Sequence, residues 1–154
     1  MDIGIIGAGM STVGLITNLK GSHEISIFDK ARKAGGRLTM HSREHEGDII
    51  KFNLGAQYAK AHSLDFKRVL EVAGCKALSG TILDNLNKSI IESSNKFVHK
   101  DGLHSVVGYH LDDKNIELEK LVTNINLKES ILSFKDSPEK KIWFDNFLST
   151  PPPI

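Results

Sequence analysis

Three glycine-bearing blocks hold the residues of this 154-residue chain whose types and spacing suit ligand chemistry: Gly7-Ala8-Gly9-Met10, Gly35-Gly36-Arg37 and Gly55-Ala56-Gln57-Tyr58. The first follows the apolar run Ile3–Ile6 and precedes a helix-like run, and Asp29 stands twenty residues after Gly9. That order of parts suits a dinucleotide. A buried strand ends, the chain turns tightly at Gly7, and Gly9 lets the backbone approach a pyrophosphate. The following helix then offers its N-terminal amides and positive dipole end to the anion. Asp29 closes a second predicted strand, Ile25–Asp29, where an acid accepts both hydroxyls of an adenosine ribose and repels a 2′-phosphate. One residue departs from the G-x-G-x-x-G pattern. Thr12 takes the third glycine position, and Gly14 is the next glycine. Its branched side chain is expected to push the helix slightly away from the strand.

The elements that must position these blocks form an alternating series. A first helix is predicted over Met10–Lys20, with Val13, Ile16 and Leu19 toward a sheet and Gly21 as its stop. Arg37–Arg43 and Ile49–Asn53 read as two strands joined around Glu46-Gly47-Asp48. A second helix is predicted from Ser63, its cap, to Gly74, with Phe66, Val69, Leu70 and Ala73 as its apolar stripe. The pattern is weaker from Lys76 to Lys96, with a short helix suggested around Ile82–Leu86 and a strand near Ile90. A third helix is predicted from an Asp101 cap through Leu103, Val106, Val107 and Leu111. Four strands complete the series: Ile116–Leu118, Leu121–Leu127, Ile131–Phe134 and Ile142–Leu148. Strands alternating with helices, plus a late antiparallel excursion, predict an α/β, Rossmann-like, doubly wound domain with a parallel sheet.

Composition bounds the alternatives. The length suits one domain, able to bury roughly two-thirds of its unfolded surface. Hydrophobic residues at 40% and charged residues at 25% are ordinary for a globular chain. A net charge of +1 gives no electrostatic basis for binding nucleic acid or an anionic membrane. No apolar stretch approaches the about eighteen residues of a membrane span. Met1-Asp2 is acidic where a signal peptide is basic. The single cysteine, Cys75, excludes an internal disulfide and fits a reducing compartment, so a cytoplasmic location is expected.

Taken together, Gly7-Ala8-Gly9-Met10, Phe28-Asp29-Lys30, Gly35-Gly36-Arg37-Leu38-Thr39 and above all Leu54-Gly55-Ala56-Gln57-Tyr58 resemble renalase-like flavoproteins, which have an amine-oxidase-like FAD fold. The similarity extends more weakly through Phe97-Val98, Asp101-Gly102, the stretch Leu121–Leu127, and Phe144-Asp145 to the run ending at Pro153. The resemblance implies FAD as cofactor, lying extended across the sheet. Gly7, Gly9 and Met10 would flank the pyrophosphate and Asp29 the adenosine ribose, with Lys30 beside it. Gly36 and Arg37 would lie by the phosphates or ribityl chain. Gly55, Ala56, Gln57 and Tyr58 would approach the flavin ring, and Val122 would meet the adenine through its backbone. It also implies an activity: oxidation of a misreduced dihydronicotinamide dinucleotide, with electrons passed through flavin to oxygen.

Two further differences from that family are visible. Asn53 stands where relatives commonly carry Asp, and relatives are considerably longer. The expectation is therefore a single domain over 1–154, carrying a partial substrate-domain insertion about 63–100 and truncated before the full substrate domain. On that basis the chain alone is expected to show little catalysis, and no catalytic acid or base is identified. A competing reading is a non-catalytic remnant or interaction module, completed by a second chain or by self-association along the truncated edge. Plain NAD binding is a third reading, and it leaves the second and third glycine blocks without a role.

Other candidates have plainer explanations. His41, Glu44, His45 and Glu46 read as a solvated hairpin rather than metal ligands. His104 and His110 lie six apart on a helix and do not face one another. Cys75 follows a helix C-terminus, whose dipole raises a thiol pKa, which disfavours a nucleophile. Lys30, Arg32 and Lys33 form a basic loop that reaches phosphate or solvent. Trp143 and Phe144 are expected on the last strand, in the core, stacked on a ligand, or as surface that a missing half would cover.

Overall fold

The computed structural model describes residues 1–79, 82–84, 86, 89–91 and 95–149. The chain opens with β1 (Asp2–Ile6), α1 (Met10–Asn18) and β2 (Glu24–Phe28). A 3-10 turn, Gly36–Leu38, leads into β3 (Met40–His45) and β4 (Asp48–Asn53). Next come β5 (Ala59–Lys60), α2 (Leu64–Val72), β6 (Lys76–Ala77), β7 (Ile82–Asp84), β8 (Ser89–Ile91) and β9 (Lys96–Val98). Then α3 (His104–Leu111) precedes β10 (Asn115–Glu117), β11 (Val122–Asn126), β12 (Ile131–Phe134), β13 (Ser137–Trp143) and β14 (Asn146–Ser149). The chain divides into two compact units: Met1–Gly36 together with the chain from Val107 onward, and Arg37–Val106 between them in sequence. The segment about 63–100 singled out as an insertion falls inside the second unit.

The first unit is a Rossmann-like α/β layer. Its parallel sheet has the order β10-β2-β1-β14. Parallel strands covered on both faces need continuous apolar runs, and Ile3, Ile5, Ile27 and Phe28 are all buried. The chain winds outward from β1 through β2 to β10, then returns to place β14 on the other side of β1. Winding therefore reverses beside β1, the point at which open α/β sheets bind ligands beyond their strand carboxyl ends. Val13 and Thr12 are the buried residues of α1, whereas Gly14 is exposed and does not substitute for the missing third glycine.

An antiparallel meander, β11-β12-β13, forms the other sheet of this unit. Leu132 and Phe134 of β12 join Phe28 and Phe144 in one buried cluster, with Ile6, Val122 and Ile142 packed against it. The ring of Phe28 lies 5.0 Å from that of Phe134 and meets Phe144 edge-on at 5.8 Å, favourable aromatic geometries. Phe144 reaches this cluster over Gly4, where a Cβ would lie 2.9 Å from its ring.

Phe144 also explains a correction to the sequence reading. The run Ile142–Leu148 is not one strand: β13 ends at Trp143 and β14 begins at Asn146, in different sheets. Phe144 turns into the core between them, its amide donating to the Ser130 carbonyl at 3.0 Å. The Asp145 carboxylate then accepts the Asp2 amide at 2.8 Å, and the Asp145 amide donates to the Asp2 carbonyl. Phe144 is thus a core residue off any strand, while the side chain of Trp143 lies outside what is described.

In the second unit, β3 and β4 form an antiparallel hairpin closed by His45 opposite Asp48. Glu46 and Gly47 both have positive φ, 53° and 86°, the two-residue turn that matches strand twist. A short sheet, β5-β9-β6, and the pair β7–β8 complete its strands. Ser63 caps α2, accepting the Phe66 amide at 3.2 Å, and Leu70 and Ala73 are buried as the stripe requires. The helix suggested around Ile82–Leu86 is instead strand β7, paired with β8, and the strand near Ile90 is present. Two adjacent apolar residues are too short a run to define a helical face, and pairing satisfies their backbone instead. Asp101 does not cap α3, which starts three residues later at His104. Its amide donates to His99 Nδ1 within a turn that continues through Gly102 at φ 86°. No helix among the described residues is long and apolar enough to cross a membrane.

Candidate functional site: the glycine turn

The turn after β1 is built from glycine backbone and one acid. Gly7 adopts φ 106°, the left-handed region where a side chain is strained, and its amide donates to the Phe28 carbonyl at 2.8 Å. This bond extends the β1–β2 ladder by one step beyond the strands. Gly9 then serves as the N-cap of α1 with extended backbone, and its carbonyl accepts the Thr12 and Val13 amides. The first-turn amides of α1, at Met10 and Ser11, have no intrahelical acceptor and point out of the helix end.

Asp29 follows β2 directly and ties the turn to its neighbours. Its Oδ2 accepts the Ala8 amide at 2.7 Å and its Oδ1 accepts the Ala31 amide at 2.8 Å. Its own amide donates to the Glu117 carbonyl, and its carbonyl accepts the Lys120 amide. The acid is thus held by backbone from three segments, with its carboxylate half-exposed at the strand ends.

Thr12, at the third glycine position, is tied into the turn by its side chain. The residue is completely buried, and its hydroxyl donates to the Gly7 carbonyl. Its side chain is therefore buried beside the turn and fastens the Gly7 carbonyl, supplying a polar bond that glycine lacks. The second glycine block joins the first: the Gly35 amide donates to the Ala8 carbonyl at 2.8 Å. A Cβ on Gly36 would lie 3.8 Å from the Gly9 Cα, so bare backbone faces bare backbone. Lys30 is exposed, and Arg32 pairs at 3.3 Å with Glu119 in an exposed ion pair. Val122 begins β11, with its side chain against the Phe28 cluster.

The second unit contains the remaining candidates. Arg37 is exposed, and its carbonyl accepts the Ala56 amide at 3.2 Å. A Cβ on Gly55 would collide with that same carbonyl oxygen, so the Arg37 and Gly55 blocks are one closely fitted pair of loops. Leu54, Gly55, Ala56, Gln57 and Tyr58 are all exposed. The ammonium of Lys96 lies 5.6 Å from the centre of the Tyr58 ring, and Lys96 itself is buried, a feature no sequence pattern announced.

The remaining ionisable clusters behave as ordinary structure. Among the described residues no group of three or more His, Cys, Asp or Glu side chains is placed to hold a metal ion. His41, Glu44 and His45 line the exposed hairpin. Burial raises the Cys75 thiol above its ordinary pKa. That direction agrees with the sequence reading, but desolvation rather than the helix dipole causes it.

Fold and turn together define a Rossmann-like α/β domain. Residues 5–73 match a family model described as an NAD(P)-binding Rossmann-like domain. Similar folds occur in the PF1083 protein of Pyrococcus furiosus (16% identity, TM-score 0.64) and the CLA-producing fatty acid isomerase of P. acnes (12%, 0.67). CtdE, solved in complex with FAD and a substrate, is likewise similar (15% identity, TM-score 0.53). Each of these similarities covers 97% of this chain. The chain spans 58% of the first two proteins and 37% of CtdE. No curated protein matches the sequence.

Proposed function

We propose that this chain binds FAD as the cofactor-holding part of a renalase-like oxidoreductase acting on dihydronicotinamide-type substrates. The observation that carries the binding claim is the space over Gly9. Its φ of −118° is open to any residue, and among the described residues an added Cβ would meet no atom beyond its chain neighbours within 4 Å. Beyond the modest preference of an N-cap for glycine over alanine, neither conformation nor packing asks for glycine there, whereas a pyrophosphate seated on the α1 N-terminus does. The adjacent positive-φ Gly7, the fixed Asp29 carboxylate and the bare backbone of Gly36 fit the same ligand.

In this reading Gly7, Gly9 and Met10 hold the pyrophosphate, Asp29 accepts the ribose hydroxyls, and Lys30 adds positive charge nearby. Gly36 and Arg37 serve the phosphates or ribityl chain, Gly55, Ala56, Gln57 and Tyr58 the ring, and the Val122 backbone the adenine. When bound, flavin supplies a two-electron acceptor for a reduced nicotinamide. The substrate of the whole protein, and a second chain or self-association completing its pocket, belong to the proposal too.

The fit of residues 5–73 to an NAD(P)-binding model favours a second reading, in which the turn holds a nicotinamide dinucleotide and no flavin. Purified protein titrated separately with FAD and NADH separates them. FAD uptake with a shifted flavin absorption spectrum is the expected result. A colourless protein that binds NADH and ignores FAD would establish the second reading instead.

A further inference from the structure

The β3–β4 hairpin offers a strand edge that carries apolar side chains. Residues 41–52 are all exposed, and among the described residues β3 and β4 pair only with each other. Exposure reaches 70% at Ile49, 48% at Ile50 and 42% at Phe52. Edges of this kind are normally guarded by a proline, a bulge or a lysine, and otherwise they pair with another chain. β4 has no proline, and its register with β3 runs unbroken from His45–Asp48 to Met40–Asn53. Its lysine, Lys51, lies 3.9 Å from Asp101. The turn through Glu46 and Gly47 also decides which backbone groups are free. The pair closing such a turn exchanges both ladder bonds, so Asp48, Ile50 and Phe52 bond inward to β3. The amides and carbonyls of Ile49 and Lys51 therefore point outward.

We propose that this edge is a homodimer surface: β4 pairs antiparallel with β4 of a second copy about a two-fold axis at Ile50, making one continuous sheet. The pairing does not depend on which dinucleotide the glycine turn holds. Only residues with outward backbone exchange bonds, which sets Ile49 opposite the partner's Lys51 and Lys51 opposite the partner's Ile49. Ile50 then meets its own copy in the close, non-hydrogen-bonded position. Centring the axis on Lys51 would oppose two ammonium groups, and centring it on Ile49 would run Lys51 and Phe52 past the end of the partner's strand. With the axis at Ile50, charges complement across the sheet. Lys51 shares a row and a face with the partner's Glu44, and Asp48 with the partner's His41. No like charges stand directly opposite one another. A second copy thus fits the edge, since one contact is used twice and both isoleucines leave water.

Sedimentation of the full chain over a concentration series is the test, with a dimer as the expected species. Ile50→Lys sets two ammonium groups at the axis and should weaken the dimer about a hundredfold or more, since each copy loses a buried isoleucine. Ile50→Cys in a Cys75→Ser background tests the register. It should form an intermolecular disulfide on mild oxidation, because a Cα separation of about 4.5 Å at such a position lies within disulfide range. Glu44→Cys, on the far strand of the hairpin, should not. If Ile50→Lys does not fold, the comparison of Ile50→Cys with Glu44→Cys decides. A wild-type chain that stays monomeric overturns the proposal. So does a dimer that Ile50→Lys leaves intact, or one that links equally well through Glu44→Cys. Wild-type protein that dimerises through Ile50 yet takes up no FAD defeats the cofactor reading and leaves this one standing.

Discussion

The Ala8 amide donates to the Asp29 carboxylate at 2.7 Å, so the glycine turn after β1 and the acid after β2 are one hydrogen-bonded assembly. In the proposed reading Asp29 does two jobs with one side chain. It holds the turn in shape before any ligand arrives, and lone pairs beyond those given to Ala8 and Ala31 remain for a diol. Pre-arranging the turn in this way lowers the ordering cost of binding.

Replacing Asp29 should therefore affect folding as well as affinity. Asp29→Ala leaves the Ala8 and Ala31 amides without their acceptor and is expected to cost about 1–2 kcal/mol, as charged hydrogen-bond partners at half-exposed sites do. Urea denaturation reads that loss, and titration with FAD reads the accompanying fall in affinity. Asp29→Asn, which keeps one carbonyl oxygen, should fall between the two. Unchanged stability in Asp29→Ala would show that the turn stands without its acid.

Thr12 allows a sharper contrast. Thr12→Gly restores the third glycine of the familiar pattern, yet it deletes a buried methyl and the hydroxyl bond to Gly7. It is expected to destabilise the chain by about 1–3 kcal/mol, combining lost burial, the lost bond and glycine's helix cost. Thr12→Val keeps the volume and loses only the bond, so about 1 kcal/mol is expected. Thermal melts of the two variants rank them, and a Thr12→Gly protein more stable than wild type would contradict this account.

Much of the turn was legible because its parts are close in sequence. Gly7, Gly9 and Asp29 are linked by strand–helix–strand spacing, and Glu46-Gly47 marked its hairpin through the positive φ that such a turn imposes. Where the sequence misled, a distant partner decided. Ile142–Leu148 looks continuous until Phe144 is drawn into a cluster with Phe28 and Phe134, which nothing local signals. Asp101 has the composition of a cap, but the turn through Gly102 moves the helix start beyond it. The bond from Thr12 to Gly7 was not legible, because the pattern describes glycine's absence of bulk and not what a hydroxyl finds there. Lys96 was invisible for the same reason: its burial depends on strands that pair far apart in the chain.

Gly9 and Gly55 should respond oppositely to the same methyl group. Gly55→Ala places a Cβ into the Arg37 carbonyl and is expected to cost about 1–3 kcal/mol of stability as the two loops separate. Gly9→Ala meets no protein atom and loses no more than about 1 kcal/mol, the cap preference of glycine over alanine. Its effect should appear in binding instead, with FAD affinity falling about tenfold or more, equivalent to about 1.4 kcal/mol. Parallel melts and titrations check both halves. A Gly9→Ala protein that binds FAD as wild type does would mean that no ligand lies against that position.

Cys75 links burial to pH. The residue is 6% exposed just beyond α2, with its amide donating to the Leu70 carbonyl, and desolvation raises its thiol pKa above the ordinary value. The folded state therefore keeps the thiol proton to higher pH than the unfolded chain does. Stability from this group is fully present below the unfolded thiol pKa. As pH rises past that value the unfolded chain binds fewer protons, so stability falls until the folded thiol ionises too. Cys75→Ser removes the thiol titration, and its stability profile should be flatter across the alkaline range than that of wild type. Disulfide-exchange reagents should label native Cys75 slowly at neutral pH and rapidly in urea, since both access and thiolate are lacking in the fold. Fast labelling of the native protein at pH 7 would place the thiol in an activated, open setting and reverse this description.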